Sequence, residues 1–199
     1  TTEIYTLSLH DALPIWKTKE WSPATTAASP IYLGNNEIAV FGSYGAGGGT
    51  LRIDYDGSAF KAVLVESHKA MEGIASDQQT PILIDDHVWS VMPENAGPLK
   101  KQLACYHRSD MRKLVWSSGK DLRFGRGLGP FIVKDDKLIL LDDDANLFLF
   151  RLEGSKASLL SHYDILDGIE AWGPMAIAGN NLILRDARNL VCLNIGISR

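Results

Sequence analysis

From Ser29 onward the chain alternates apolar and polar residues in short runs, broken by turns rich in Asn, Asp and Gly. Strict alternation over four to eight residues is the mark of a half-buried strand. One phrase recurs four times: a small residue, Pro, an apolar-rich triplet, a turn, then alternating apolar residues. It reads Ser29-Pro30-Ile31-Tyr32-Leu33-Gly34-Asn35-Asn36-Glu37-Ile38-Ala39-Val40, and returns from Thr80-Pro81, Gly129-Pro130 and Gly173-Pro174. The four prolines are spaced 51, 49 and 44 residues apart. Each copy predicts strand, tight turn, strand. Asn, Asp and Gly tolerate the positive φ that a tight hairpin needs, and Pro fits the first residue of a strand, where no ladder N–H is required.

Two further strands follow each phrase. They are expected at 51–54 and 60–65, at 102–107 and 113–116, and at 147–152 and 157–163; the fourth copy supplies only 190–195. No long helical period occurs, and the stretch from Glu66 to Gln79 has room for one helical turn. Four strands per unit at a period of roughly 45–50 residues point to a propeller blade. A lone four-stranded sheet has two bare faces; stacking blades about an axis buries both faces of each interior one. A sandwich of similar strand number does not explain why one phrase returns in register. The expectation is an all-β chain, a partial β-propeller of about four four-stranded antiparallel blades, the last incomplete. It occupies residues 16–199, with blades starting near Pro30, Pro81, Pro130 and Pro174.

Residues 1–15 stand apart. The stretch from Leu7 to Ile15 looks like the conceptual translation of a sequencing adaptor, so these residues are set aside as a non-native leader. The 199 residues carry a formal charge of −4 and are 45% hydrophobic. That balance excludes a disordered chain and argues against a nucleic-acid partner, which calls for a basic excess. No apolar run reaches the roughly 18–20 residues of a membrane helix.

The blades resemble the PQQ-like (quinoprotein) β-propeller repeat. The residues that carry the likeness are the Gly-Pro strand starts, the Asp-Asp and Asn-Asn hairpins, Lys113-Leu114-Val115-Trp116, Trp16 as the end of a preceding blade, and Trp172-Gly173-Pro174 through Leu193 as a last blade. Members usually have seven or eight blades, so the chain resembles the C-terminal half of such a protein. The family implies a bacterial, extracytoplasmic location. The outer-membrane assembly lipoproteins with this repeat imply a non-catalytic scaffold that binds a protein, peptide or glycan. The alternative is part of an alcohol dehydrogenase-like oxidoreductase that holds pyrroloquinoline quinone (PQQ) and calcium through blades outside this chain. Against it, the family's dehydrogenases carry adjacent cysteines, whereas Cys105 and Cys192 are far apart. Their docking motif, roughly Ala-x-Asp-x-x-Thr-Gly-Lys-x-x-Trp, is matched only at Lys113 and Trp116, with Arg108, Met111 and Arg112 at its Asp, Thr and Gly positions. No cofactor is expected in this chain itself.

Other chemistry-bearing residues read as structural. Cys105 and Cys192 are placed with Ile53 and Leu149 in a buried apolar slot of the third strand. No spacing suggests zinc. Gly45–Gly49 and Phe124–Gly129 lie between strands rather than before a helix, so they read as connections and not phosphate loops. Asp142–Asn146 alternates carboxylates like a calcium loop but lacks the later glycine and glutamate; a solvated turn is expected. His68, His87, His107 and His162 are scattered, and no catalytic residue is assigned.

If the strands run outward from the axis, the connection between blades and the turn between second and third strands emerge on one face. Long loops on a rigid scaffold are where binding residues gather. The expectation is a funnel lined by Trp172, Arg185, Asp186 and Arg126. An open arc also leaves end faces without a neighbour, which favours self-association.

Overall fold

A computed structural model describes residues 14–167 and 170–196. It contains three four-stranded sheets and one three-stranded sheet, each a simple antiparallel meander. Blade 1 comprises β1 (Ile31–Gly34), β2 (Glu37–Gly42), β3 (Gly47–Tyr55) and β4 (Phe60–His68). Blade 2 comprises β5 (Ile82–Ile84), β6 (His87–Val91), β7 (Leu103–His107) and β8 (Asp110–Ser117). Blade 3 comprises β9 (Phe131–Lys134), β10 (Lys137–Leu141), β11 (Asn146–Glu153) and β12 (Lys156–Asp164). Blade 4 stops at three strands: β13 (Ala176–Ala178), β14 (Asn181–Arg185) and β15 (Leu190–Asn194). The fold is a partial β-propeller. Pro30, Pro81 and Pro130 stand immediately before a first strand, and Pro174 stands two residues before one. The first hairpins turn through two residues each, and Asn35, Asn36, Asp85, Asp135 and Gly179 there have positive φ.

Alternation along the strands divides the core into layers between blades. Phe41 and Ala39 of blade 1 meet Val88, Ala104 and Tyr106 of blade 2. The intervening residues of blade 2, Trp89, Val91, Leu103 and Cys105, point the other way and meet Leu138, Leu140, Phe148 and Phe150 of blade 3. Leu141 and Leu147 of blade 3 pack with Leu182, Leu184 and Val191 of blade 4. Blades 2 and 3 are thus apolar on both faces, and neither is stable as a free sheet. Phe124, from the connection between them, closes the middle layer edge-on to Phe148, with ring centroids 5.0 Å apart. The chain before β1 crosses blade 1: the Glu20 carboxylate accepts the Leu64 N–H at 2.6 Å, and the Thr25 carbonyl accepts the Ser43 N–H at 3.0 Å.

Three expectations are corrected. Gly47, Gly48 and Gly49 are not a connection but the opening residues of β3, paired with Gly42, Phe41 and Val40. At Gly47 a side chain has nowhere to go, since a Cβ there would lie 2.0 Å from the His68 carbonyl oxygen. The stretch from Glu66 to Gln79 forms no helix; a 3₁₀ turn falls at Gly97–Leu99 instead, with Pro98 in a position where no intrahelical N–H is needed. The third-strand slot of blade 1 holds Thr50, opposite Ala39, and not Ile53.

That slot also explains the cysteines. Cys105 faces Trp89, Leu149 faces Ile139, and Cys192 faces Ile183, all at one register position. The slot looks toward the following blade. Cys105 is therefore buried, and desolvation pushes its thiol up to about 12. Among the described residues nothing packs over that slot in blade 4, so Cys192 is exposed, contrary to expectation.

Close approach at glycines yields a direct test. Gly129 lacks a positive φ, yet a Cβ there would lie 2.0 Å from the Leu141 carbonyl oxygen, whereas Gly154 at φ +63° has nothing within 4 Å. Gly129→Ala should cost more than about 3 kcal/mol in urea unfolding, and Gly154→Ala about 1 kcal/mol. Equal midpoints for the two variants would contradict the packing at the blade 3 lead-in.

Candidate functional site at the hub

In each meander the turn between second and third strands and the connection to the next blade leave the same end of the sheet. At that end, segments from all four blades enclose a cavity of about 400 Å³. Tyr44 comes from the β2–β3 turn, Glu94 and Asn95 from the β6–β7 loop, Asp77 from the lead-in of blade 2, Arg126 from that of blade 3 and Trp172 from that of blade 4. Thr25 and Ala27, ahead of β1, complete the wall.

The lead-ins are tied together by one side chain. Gln79 lies two residues before Pro81, as Leu128 lies before Pro130 and Trp172 before Pro174. The Gln79 amide nitrogen donates to the Trp172 carbonyl at 3.0 Å and to the Leu128 carbonyl at 3.4 Å. Nearby, the Thr80 hydroxyl accepts the Ser29 N–H at 2.9 Å, linking blades 1 and 2 just ahead of their prolines. The first strands therefore converge on a shared hub.

Arg126 is held by the loop that resembled a phosphate cradle. Gly125 and Gly127 have φ of +45° and +83°. This winding turns the N–H groups of Arg126 and Leu128 onto Asp143 Oδ1 at 2.8 and 3.2 Å, while Arg126 Nε reaches Oδ2 at 2.9 Å. Successive N–H groups in such a winding make an anion-binding concavity. Here it is filled by the protein's own carboxylate, and a Cβ on Gly125 would sit 2.5 Å from Asp143 Oδ1. Donating this hydrogen bond to Asp143 raises the Arg126 guanidinium above its ordinary range. The same guanidinium lies 5.4 Å above the Trp172 ring centroid, within cation–π range.

Of the four residues expected at the funnel, Arg126 and Trp172 are brought together at the cavity. Arg185 is exposed, its Cγ passing 3.4 Å from a Cβ built on Gly173, and its Nε donates to the Asp186 carbonyl. Asp186 is directed into its own turn: the carboxylate accepts the N–H groups of Arg188 and Asn189 and the Asn189 amide. The Asn189 side chain, foremost among these, holds Asp186 below the usual carboxylate range.

Asp142 does the same for Asp144 and Asn146, so the position is a turn anchor repeated in blades 3 and 4. Asp142 and Asp143 are buried, not solvated as expected; burial pushes Asp142 upward. Among the described residues no group of three or more His, Cys, Asp and Glu side chains is placed to hold a metal ion.

Sequence reasoning passed over Tyr44, Asp77 and Gln79. Asp77 Oδ1 accepts the Tyr44 N–H at 2.9 Å, its carbonyl accepts the Ser43 hydroxyl, and burial raises its carboxyl above the ordinary range. The place of Gln79 relative to its proline, shared with Leu128 and Trp172, was the available signal.

No family model matches the sequence, and no curated protein matches it. Among solved structures, the chain is similar to BamB from Moraxella catarrhalis, with a TM-score of 0.45 and 11% identity over 84% of this chain and 56% of that one. It is also similar to an S. cerevisiae dbp5 variant bound to nup159, a gle1 variant, ip6 and adp, with a TM-score of 0.42 and 11% identity over 75% of this chain and 36% of that one. The chain thus spans little more than half the length of BamB. At these scores neither likeness assigns a function. Among the described residues no helix is long and apolar enough to cross a membrane.

The lead-in of blade 2 carries a pH-sensitive contact. His68 is 3% exposed; its Nε2 donates to the Ile74 carbonyl at 2.7 Å and its Nδ1 has no partner. Burial lowers its pKa from the ordinary 6.5. The unfolded chain takes up a proton near that value while the folded chain stays neutral. Stability is therefore complete above it and falls as pH drops toward the folded pKa, by up to about 1.4 kcal/mol per pH unit. His68→Gln should flatten the decline in unfolding free energy between about pH 6.5 and 5; a slope equal to the parent's would contradict the burial argument.

Proposed function

We propose that this chain is a non-catalytic β-propeller scaffold that binds a protein, peptide or glycan partner at the hub face. The observation that carries the reading is the Arg126–Trp172 stack at the wall of a cavity to which all four blades contribute. Trp, Tyr and Arg are the residue types that dominate binding energy when they are held rigidly. Here Arg126 is fixed by Asp143, the Trp172 backbone is fixed by Gln79, and Tyr44 stands 79% exposed beside them. Asp77 and Asn95 offer polar contacts at the same rim. Arg185 and Asp186, expected in the funnel, do not line the cavity; Asp186 anchors its own turn. The resemblance of the repeat to PQQ-like blades supports an extracytoplasmic location.

Two measurements test this. Peptides selected by display on the protein, and glycans from an array, are titrated against the parent and Trp172→Ala. The expected result is at least about tenfold weaker binding, or 1.4 kcal/mol, with an unchanged urea midpoint. Ligands that bind Trp172→Ala as tightly as the parent would overturn the hub site. Separately, PQQ with calcium should leave the melting temperature and the quinone absorbance unchanged; a shift in both would favour the oxidoreductase.

A further inference from the structure

Every charged side chain in the hub wall except one has a partner from the chain itself. Asp77, Glu94 and Arg126 line the cavity. Arg126 is matched by Asp143 at 2.9 Å, and Glu94 by Lys101 at 2.8 Å and Lys100 at 3.3 Å. Asp77 stands in no ion pair among the described residues. Its Oδ1 takes the Tyr44 N–H, while its Oδ2 accepts no hydrogen bond from those residues and is not sealed in the interior. Burial raises its carboxyl, and no neighbouring cation opposes that effect. The cavity therefore keeps one unmatched negative charge. Glu170 and Asp144 add further negative potential at Arg126.

The rest of the wall favours one kind of cation. Tyr44 has a φ of +56°, a left-handed conformation that bulky residues rarely adopt. The bond from its N–H to Asp77 supports it there, and its side chain is left open to solvent at the cavity wall. One face of Trp172 is already taken by Arg126, so the Tyr44 ring is the aromatic surface still free to meet a cation. The Asn95 side-chain amide, in the same wall, makes no hydrogen bond among the described residues. A single free carboxylate oxygen suits a compact ammonium, which carries three donors on one point charge. The planar fork of a guanidinium calls for two such oxygens.

We propose that the hub cavity receives a primary ammonium group on an aliphatic stem, from the lysine side chain of a partner polypeptide or from a free polyamine. This rests on the hub being the binding face and names the chemistry it selects. The ammonium donates to Asp77 Oδ2 and to the Asn95 side-chain carbonyl, and its stem lies against the Tyr44 ring. A hydrogen bond between two charged groups is about twice as strong as one between neutral groups. The same unmatched carboxylate repels phosphate and acidic glycans.

The probes are acetyl-Ala-Lys-Ala-amide, the same peptide with norleucine in place of lysine, and spermidine, each titrated at low salt into isotope-labelled protein. The lysine peptide and spermidine should shift the amide resonances of Tyr44 and Asn95 saturably, and the norleucine peptide should not. Asp77→Asn keeps the acceptor for the Tyr44 N–H, and should weaken both cationic probes at least about tenfold at an unchanged urea midpoint. Asp135→Asn makes the same charge change in the β9–β10 turn, at the opposite end of the sheet, and should bind like the parent. If Asp77→Asn does not fold, Tyr44→Leu serves for the comparison, with an expected loss of about threefold. Tighter binding of the peptide assigns the site to a polypeptide lysine, and tighter binding of spermidine to a free polyamine. Equal responses to norleucine and lysine, no shift at Tyr44 and Asn95, or equal affinities in Asp77→Asn and Asp135→Asn would each overturn the proposal. Display or array ligands that lose affinity in Trp172→Ala yet bind Asp77→Asn like the parent would overturn it while leaving the hub reading intact.

Discussion

One amide group spans three blades. Gln79, from the lead-in of blade 2, donates to backbone carbonyls in the lead-ins of blades 3 and 4, each two residues ahead of the proline that opens its sheet. Convergence of these segments fixes where each first strand starts. Once the starts are fixed, the meander carries each sheet outward, and residues of alternate parity face the two neighbouring blades. The hub cavity follows from the same constraint, because its walls are the lead-ins themselves together with the turns that share their end of the sheet.

Energetically the arc rests on the layers between blades. Trp89, Phe124, Phe150, Leu138 and Leu140 are fully buried, and all belong to the layer between blades 2 and 3. Burying such side chains contributes roughly 1.5–3 kcal/mol each, which no lone sheet achieves with a face in water. The same register position shows the consequence of lacking a neighbour: Cys105 is sealed beneath blade 3, while Cys192, its counterpart in blade 4, stands exposed. Glycines at 47, 125, 127 and 129 permit the backbone contacts through which lead-ins and loops interlock.

Periodicity made the blades legible, because proline position, turn residues and alternation are local properties. Cys105 and Trp116 could be placed on their strands for that reason. The burial of Cys192 was misjudged because exposure depends on a neighbouring blade, which a repeat pattern assumes without checking. The Gly45–Gly49 run was misread in the same way: whether a glycine marks a loop or a close approach depends here on the His68 carbonyl, brought there by a different part of the chain. Arg126 and Trp172 were found from loop length alone, but nothing local signals that Asp143 anchors the first or that Asp186 caps its own turn.

The convergence at the hub is tested most directly by native-state amide exchange in Gln79→Ala. Loss of the shared donor should speed exchange at both distant lead-ins, around residues 125–129 and 171–175, while the β2–β3 ladder of blade 1 keeps its protection. Unchanged exchange at those two segments, or acceleration confined to the neighbours of residue 79, would show that the blades are not gathered about a common hub.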